Sequence, residues 1–189
     1  MLLTAQSCVE STTTVTKPSL NLQMVQINTN LNFNFQNGMA LARNSPVDLN
    51  NLNWTWLKSG SRHDALKEGQ DFGVRFSLDY PIGSPALDNV ILEITASSKK
   101  IPQLGIISSG YQFLEQNKTN IRDEEVNVYK YSFGQLKDGT QQWIILGGQV
   151  GTIGFSTDTT TPIIVKLLKE NGEQIVRGDV TINIVANVN

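Results

Sequence analysis

The stretch Phe72-Gly73-Val74-Arg75-Phe76-Ser77-Leu78 decides the fold class. Large apolar side chains occupy every second position and are separated by small or polar residues. Successive side chains of a β-strand point to opposite faces of its sheet, so this period of two predicts a strand with one buried side and one wet side. The same alternation returns at Leu31–Phe35, Val90–Ile94, Ile163–Leu167 and Val180–Ile184.

Less regular strand candidates and turn-forming residues fill the rest of the chain. The further candidates are Leu20–Ile27, Leu104–Ile107, Val126–Phe133, Trp143–Leu146 and Ile153–Phe155. The predicted turns are Asn37-Gly38, Pro81-Ile82-Gly83, Lys137-Asp138-Gly139, Asn171-Gly172 and Arg177-Gly178-Asp179. No long segment has a helical stripe, although Asp64–Glu68 and Tyr111–Gln116 could each form one helical turn. We therefore predict an all-β chain folded as an antiparallel Ig-like or jelly-roll β-sandwich.

The glycines that follow Trp143–Leu146 do not form a phosphate-binding loop. They are Gly147, Gly148, Gly151 and Gly154, and they match neither GxxxxGK[ST] nor a GxGxxG that opens a helix. We interpret them as bulges or bends before the candidate strand Ile153–Phe155.

The domain organisation follows from a change of composition near Pro18. Residues 4–19 are rich in Thr and hold few large apolar groups, so they favour an extended backbone but cannot build a core. We predict an extended N-terminal arm over residues 1–19 and a single sandwich domain over residues 20–189. Leu20, Leu22 and Met24 alternate in one phase, and the apolar residues from Val25 onward follow the opposite phase. This slip predicts a bulge, or a passage of the chain to another sheet or another molecule.

The composition argues against an enzyme. Charged residues make up 17% of the chain, against about 25% in an average domain, and the net charge is -2. We expect no nucleic-acid partner, and no apolar run is long enough for a membrane-spanning helix. The chain has one His, His63, and one Cys, Cys8, which excludes multi-His or multi-Cys metal sites and an internal disulfide. We predict no catalytic, metal or cofactor site, and we interpret Asp123-Glu124-Glu125 as a solvated turn rather than a Ca²⁺ loop.

We predict an extracellular or cell-surface location, where two sequons could carry glycans. They are Asn53-Trp54-Thr55 and Asn117-Lys118-Thr119, so Asn53 and Asn117 are candidate carriers of N-linked glycans. In the predicted strand Leu52–Leu57, Asn53 faces away from Trp54 and Trp56. The segment Met1–Cys8 could be the tail of a signal peptide within a longer precursor, or an ordinary start of the chain.

Two segments carry a resemblance to known surface proteins. Tyr131–Leu146, with the turn Leu136-Lys137-Asp138-Gly139, resembles the penultimate hairpin of Ig-like repeats in bacterial and archaeal surface proteins. Ala65–Leu78 is similar to the corresponding turn of the TasA/camelysin group. In that group a jelly-roll subunit extends an N-terminal strand into its neighbour to build an extracellular fibre. The resemblance implies a donor strand here, for which the candidate buried residues are Val9, Val15, Leu20, Leu22 and Met24.

Three functions are consistent with these observations. The first is a structural subunit of an extracellular filament, a homopolymer in which the arm of each copy completes the sheet of the next. The second is a carbohydrate-binding or adhesion module that uses Trp54 and Trp56 as a stacking platform, although same-face Trp pairs also anchor cores. The third is a viral capsid or phage appendage protein. The sequence does not determine the ligand, the source or the symmetry of an assembly.

Overall fold

The structure of the protein is a computed structural model, and it describes residues 17–25, 33–42, 65–107 and 110–186. Within these ranges the chain forms eleven β-strands and no helix, so the predicted all-β class is confirmed. The strands are β1 (Ser19–Val25), β2 (Phe33–Gln36), β3 (Met39–Ala42), β4 (Asp71–Asp79), β5 (Leu87–Ser97), β6 (Gln103–Ile106), β7 (Gln112–Ile121), β8 (Glu124–Leu136), β9 (Gln141–Gln149), β10 (Thr159–Leu168) and β11 (Gln174–Ile184).

The strands form two sheets that pack as a sandwich. One sheet has six strands in the order β1-β4-β9-β6-β3-β2, and the other has five in the order β11-β10-β5-β8-β7. The strand pairs are antiparallel except for β3 with β6. The orders β1-β4-β9-β6 and β11-β10-β5 correspond to strands A-B-E-D and G-F-C of immunoglobulin-type sandwiches. The β7–β8 hairpin is an addition between strands D and E, and it widens the second sheet.

The alternating residues of β4 form the centre of the core. Phe72, Val74, Phe76 and Leu78 are each at most 1% exposed, as their period of two predicts. They pack in one cluster with inward residues of the facing sheet, among them Leu92, Ile94, Ile163, Val165 and Leu167. A fully buried side chain of this size contributes about 1.5–3 kcal/mol, so this cluster is the main source of stability.

Several local predictions are confirmed because short-range turn chemistry decides them. The turns at Asn37-Gly38, Pro81–Gly83, Lys137–Gly139 and Asn171-Gly172 are all present. Gly38, Gly83, Gly139 and Gly172 each have a positive φ, which glycine adopts without steric cost. The predicted solvated turn Asp123–Glu125 is confirmed for Asp123 only, which lies in the tight turn between β7 and β8. Glu124 and Glu125 already belong to β8 and accept hydrogen bonds from Ser97 and Ser98.

Other local predictions are wrong because long-range pairing overrides local preference. Residues 112–116 do not form a helical turn: they begin β7, which pairs with β8. Arg177-Gly178-Asp179 is not a turn but the middle of β11, where its residues pair with Lys166, Val165 and Ile164. Ile153–Phe155 is a loop and not a strand. Leu66 of the other predicted helical turn forms a bridge with Ile184. The predicted strand Leu52–Leu57 and residue Leu31 lie outside the described residues.

The glycines of β9 also differ from their predicted role. Gly147 and Gly148 are not bulges; both are buried inside β9, in register with Gly73 and Phe72 of β4. A side chain at Gly148 would collide with the ring of Phe72. Gly105 of β6 has the same function, since a Cβ there would lie 2.6 Å from the carbonyl carbon of Met39. These glycines allow the β2–β3 hairpin and the core rings to approach the backbone closely.

The β2–β3 hairpin is fixed to both sheets. The hydroxyl of Tyr131 donates a hydrogen bond to the carbonyl of Gly38 at 2.7 Å, which ties the hairpin turn to β8. The amide of Phe33 donates to Asp71 Oδ2 at 2.8 Å, which ties β2 to the start of β4. The rings of Phe113 and Tyr131 meet edge to face at 5.7 Å beside the turn. The hairpin therefore closes the side of the sandwich opposite β1 and β11.

We expect Gly105→Ala to destabilise the protein by about 1–3 kcal/mol, because the new methyl group meets backbone that cannot move without breaking the β3–β6 contact. Chemical denaturation measures the effect. Thr181→Ala on the exposed face of β11 is the control and is expected within about 0.5 kcal/mol of the wild type. Equal stability of the two variants would contradict the close approach at Gly105.

We expect the fold to lose stability between about pH 10 and pH 12. Burial raises the pKa of Tyr111 and Tyr129 to about 12, and burial raises the pKa of Tyr131 even further. An unfolded tyrosine has a pKa of about 10. Folding therefore favours the neutral phenols, and this stabilisation is complete below pH 10 and lost as the pH rises through the folded values. Tyrosinate absorbance and circular dichroism should change together. Ionisation of these three tyrosines near pH 10 with the sheets intact would contradict the expectation.

Candidate functional site

The described residues contain no group of three or more His, Cys, Asp or Glu that could hold a metal ion. His63 and Cys8 lie outside these residues, and so do the candidates Asn53, Trp54, Trp56, Val9 and Val15. Their predicted roles stay predictions. Within the described ranges no helix could cross a membrane.

The structure places the remaining predicted site residues in two strands. Asn117 is exposed in β7, so its side chain is open to the attachment of a glycan. Leu20, Leu22 and Met24 belong to β1, whose backbone pairs with Leu78, Phe76 and Val74 of β4 in the same chain. In the single chain these donor candidates thus complete their own sheet.

Strand β1 is an edge strand held by one partner. Its seven residues pair antiparallel with β4 without a register shift, from Ser19 with Asp79 to Val25 with Gly73. Among the strands that the structure describes, none pairs with the other side of β1. Across the sandwich β1 lies against β11. One ladder and one packing contact therefore join β1 to the domain.

Strand β7 is a second, more exposed edge. Nine of its ten residues are exposed, and Phe113 alone is half-buried. Leu114 and Ile121 are 48% and 46% exposed, respectively. Lys130 of β8 donates a hydrogen bond to Glu115, and this bond lowers the pKa of the Glu115 carboxyl. Such an edge offers unpaired backbone groups to a further strand.

The outer face of the six-stranded sheet carries an exposed aromatic residue. Trp143 of β9 is 44% exposed although it lies in the middle of the sheet. The guanidinium carbon of Arg75, on β4, lies 3.9 Å from the centre of the indole ring. Desolvation lowers the pKa of Arg75, in agreement with a guanidinium drawn out of water against the ring. This cation–π contact fixes the orientation of the indole.

Polar side chains surround Trp143 on the same face. Asp79 and Gln141 are cross-strand partners at the end of the ladder between β4 and β9, and both are exposed. Neither makes a side-chain hydrogen bond to another described residue. Together with Ser77 and Trp143 they border a concavity of about 490 Å³. That volume lies within the range of about 300–1,000 Å³ that is usual for small-molecule sites.

The sequence does not reveal that Trp143 is exposed. Trp143-Ile144-Ile145-Leu146 is a continuous apolar run, and such a run does not show which residues face inward. Pairing with β4 shows which residues face inward, because Ile144 lies opposite the inward-facing Phe76 and Trp143 lies opposite Ser77. The preceding residues give no signal either, because Gln141 and Gln142 place a polar side chain in both phases.

A second concavity, of about 440 Å³, lies at the outer face of the five-stranded sheet. Its lining includes Ile164 and Val126 with three basic residues. Two of these are paired, Lys166 with Glu93 at 2.8 Å and Arg177 with Asp179 at 3.8 Å. These pairs neutralise most of its charge, so it offers less to a ligand than the face around Trp143.

Comparisons with known proteins assign no family. No family model matches the chain, and no curated protein matches it. A solved structure described as AvmM, which catalyses macrocyclization in alchivemycin A biosynthesis, aligns with a TM-score of 0.41 and 7% identity. The alignment covers 67% of this chain and 86% of that chain. A similarity of this size assigns neither a family nor an activity to the present chain.

We expect hydrogen exchange to distinguish the edges from the centre of the sandwich. Amides of β7 should exchange much faster than those of β5, because β5 is paired on both sides and β7 on one. Mass spectrometry of the monomeric protein measures both strands in the same sample. Equal protection of β7 and β5 would show that the β7 edge is covered.

Proposed function

We propose that this chain is a structural subunit that assembles into an extracellular filament by donating its N-terminal strand to the next copy. The observation that supports this most is the position of β1. It fills the edge beside β4, the strand with four fully buried side chains, yet one ladder joins it to the domain. The same place can be filled by β1 of another copy.

Exchange of β1 between copies changes few contacts. A donated β1 makes the same ladder to β4 and the same packing on β11 as a strand of the same chain. Each backbone hydrogen bond contributes about 0.5–1.5 kcal/mol in either arrangement. The free-energy difference between the closed monomer and the strand-exchanged assembly therefore depends on the connecting segments and on the protein concentration, as in other domain-swapped assemblies.

Donation in one direction builds an open assembly. Each subunit gives β1 at one place and receives it at the β4 edge, and such head-to-tail contacts continue unless the rotation closes a ring. The net charge of -2 keeps repulsion between copies small. Extracellular placement is part of the proposal, and the exposed sequon residue Asn117 supports it. We propose no catalytic role.

Cross-linking across the β1–β4 ladder tests donation. Asn21 and Ser77 are cross-strand partners, so Asn21→Cys with Ser77→Cys can form a disulfide between the two strands. Cys8→Ser removes the native thiol. Under oxidising conditions we expect a ladder of covalent oligomers on a denaturing gel, because each β1 lies on the β4 of another copy.

A second cysteine pair provides the matched control. Thr160 and Asn183 pair within the β10–β11 hairpin, so Thr160→Cys with Asn183→Cys should form the disulfide inside one chain and give monomers. If the pair at positions 21 and 77 also gives oxidised monomers only, under conditions where the protein is assembled, strand donation is refuted.

A further inference from the structure

Trp143 is exposed enough to contact a ligand. The Arg75 guanidinium covers one side of the indole at 3.9 Å, and 44% of the residue remains exposed. Because Arg75 already fixes the ring, a ligand that stacks on it loses little side-chain conformational entropy of Trp143 on binding.

Hydrogen-bonding groups lie at a fixed distance from this ring. Gln141 is two residues before Trp143 in β9, which places it about 7 Å along the strand on the same face. Asp79 stands directly opposite Gln141. The carboxylate is an acceptor and the amide both donates and accepts, so the pair can satisfy neighbouring hydroxyl groups of one ligand.

We propose that this face binds neutral carbohydrate, with a pyranose ring stacked on Trp143 and its hydroxyl groups bonded to Asp79 and Gln141. A pyranose with equatorial hydroxyl groups has a flat face of C–H groups and a rim of hydroxyl donors and acceptors. The flat face matches the exposed indole, and the rim matches the carboxylate and amide. The concavity of about 490 Å³ is bordered by Ser77–Asp79 and Gln141–Trp143, so it brings the ring and both polar side chains to one ligand.

The charge of the site selects against acidic sugars. Asp79 is exposed, and its carboxylate repels a uronic acid placed on Gln141. Arg75 keeps its positive charge against the indole. It lies four residues before Asp79 in β4, about 13 Å along the strand, so a sugar bonded to Asp79 and Gln141 meets the carboxylate at much shorter range. The site is independent of strand donation, since it is formed by β4 and β9. A protein partner on the same face is the alternative that the experiment separates.

Isothermal titration of the full chain with cellohexaose and with hexa-N-acetylchitohexaose tests the proposal. Both are neutral, β-1,4-linked and equatorial, and we expect at least one to bind with a Kd in the millimolar range or tighter. Trp143→Ala should weaken that binding at least tenfold, and Trp143→Phe should weaken it less because a ring remains. Asp79→Asn should weaken it several-fold. Hexagalacturonate, the acidic probe, should bind at least tenfold more weakly than the neutral one.

Ile153→Ala is the matched control, because Ile153 is 57% exposed but lies on a loop outside this face. It should leave binding unchanged, and thermal unfolding should show that every variant is folded. The proposal is overturned if the wild type binds neither neutral probe, if Trp143→Ala binds as tightly as the wild type, or if hexagalacturonate binds equally well. Loss of self-association on Trp143→Ala without any sugar binding would assign the face to a protein contact instead.

Discussion

The burial of one side of β4 is the constraint on which the rest of the structure depends. Phe72, Val74, Phe76 and Leu78 fill the space between the sheets, and this fixes which side of the strand faces outward. The outward side then carries Arg75 beneath Trp143, and the free edge of the strand receives β1. The core, the support of the exposed ring and the edge that pairs with β1 are therefore three sides of the same strand. A shift of its register by one residue would turn the core side chains outward and Arg75 inward.

The sequence predicted those parts of the fold that local chemistry specifies. Regular alternation located β4, β5 and β10, and dipeptides such as Asn37-Gly38 located the tight turns, because side-chain period and backbone preference act over few residues. The wrong predictions concern segments whose structure is determined by pairing with strands that are distant in the sequence. Arg177-Gly178-Asp179 has the composition of a turn, but the long ladder between β10 and β11 carries it through as a strand.

The outer faces were less predictable than the core. Trp143 lies in an apolar run with no alternation, so only its pairing with Ser77 shows that it faces outward. The predicted platform residues Trp54 and Trp56 lie outside the described residues, and a different tryptophan forms the exposed face. The low charge of the chain indicated a surface made for contacts other than nucleic acid, but composition cannot place such a contact on a particular strand.

The pairing of β1 with β4 also has a kinetic consequence. Val25 pairs with Gly73 and Ser19 with Asp79, so about fifty residues of chain must close as a loop before this ladder forms. Contacts between residues so far apart form late in folding, after hairpins such as β10–β11. During that interval the edge of β4 is open, and a strand from another chain competes with the chain's own β1. In the proposed assembly, the local concentration of newly made subunits therefore selects between closed monomers and linked copies.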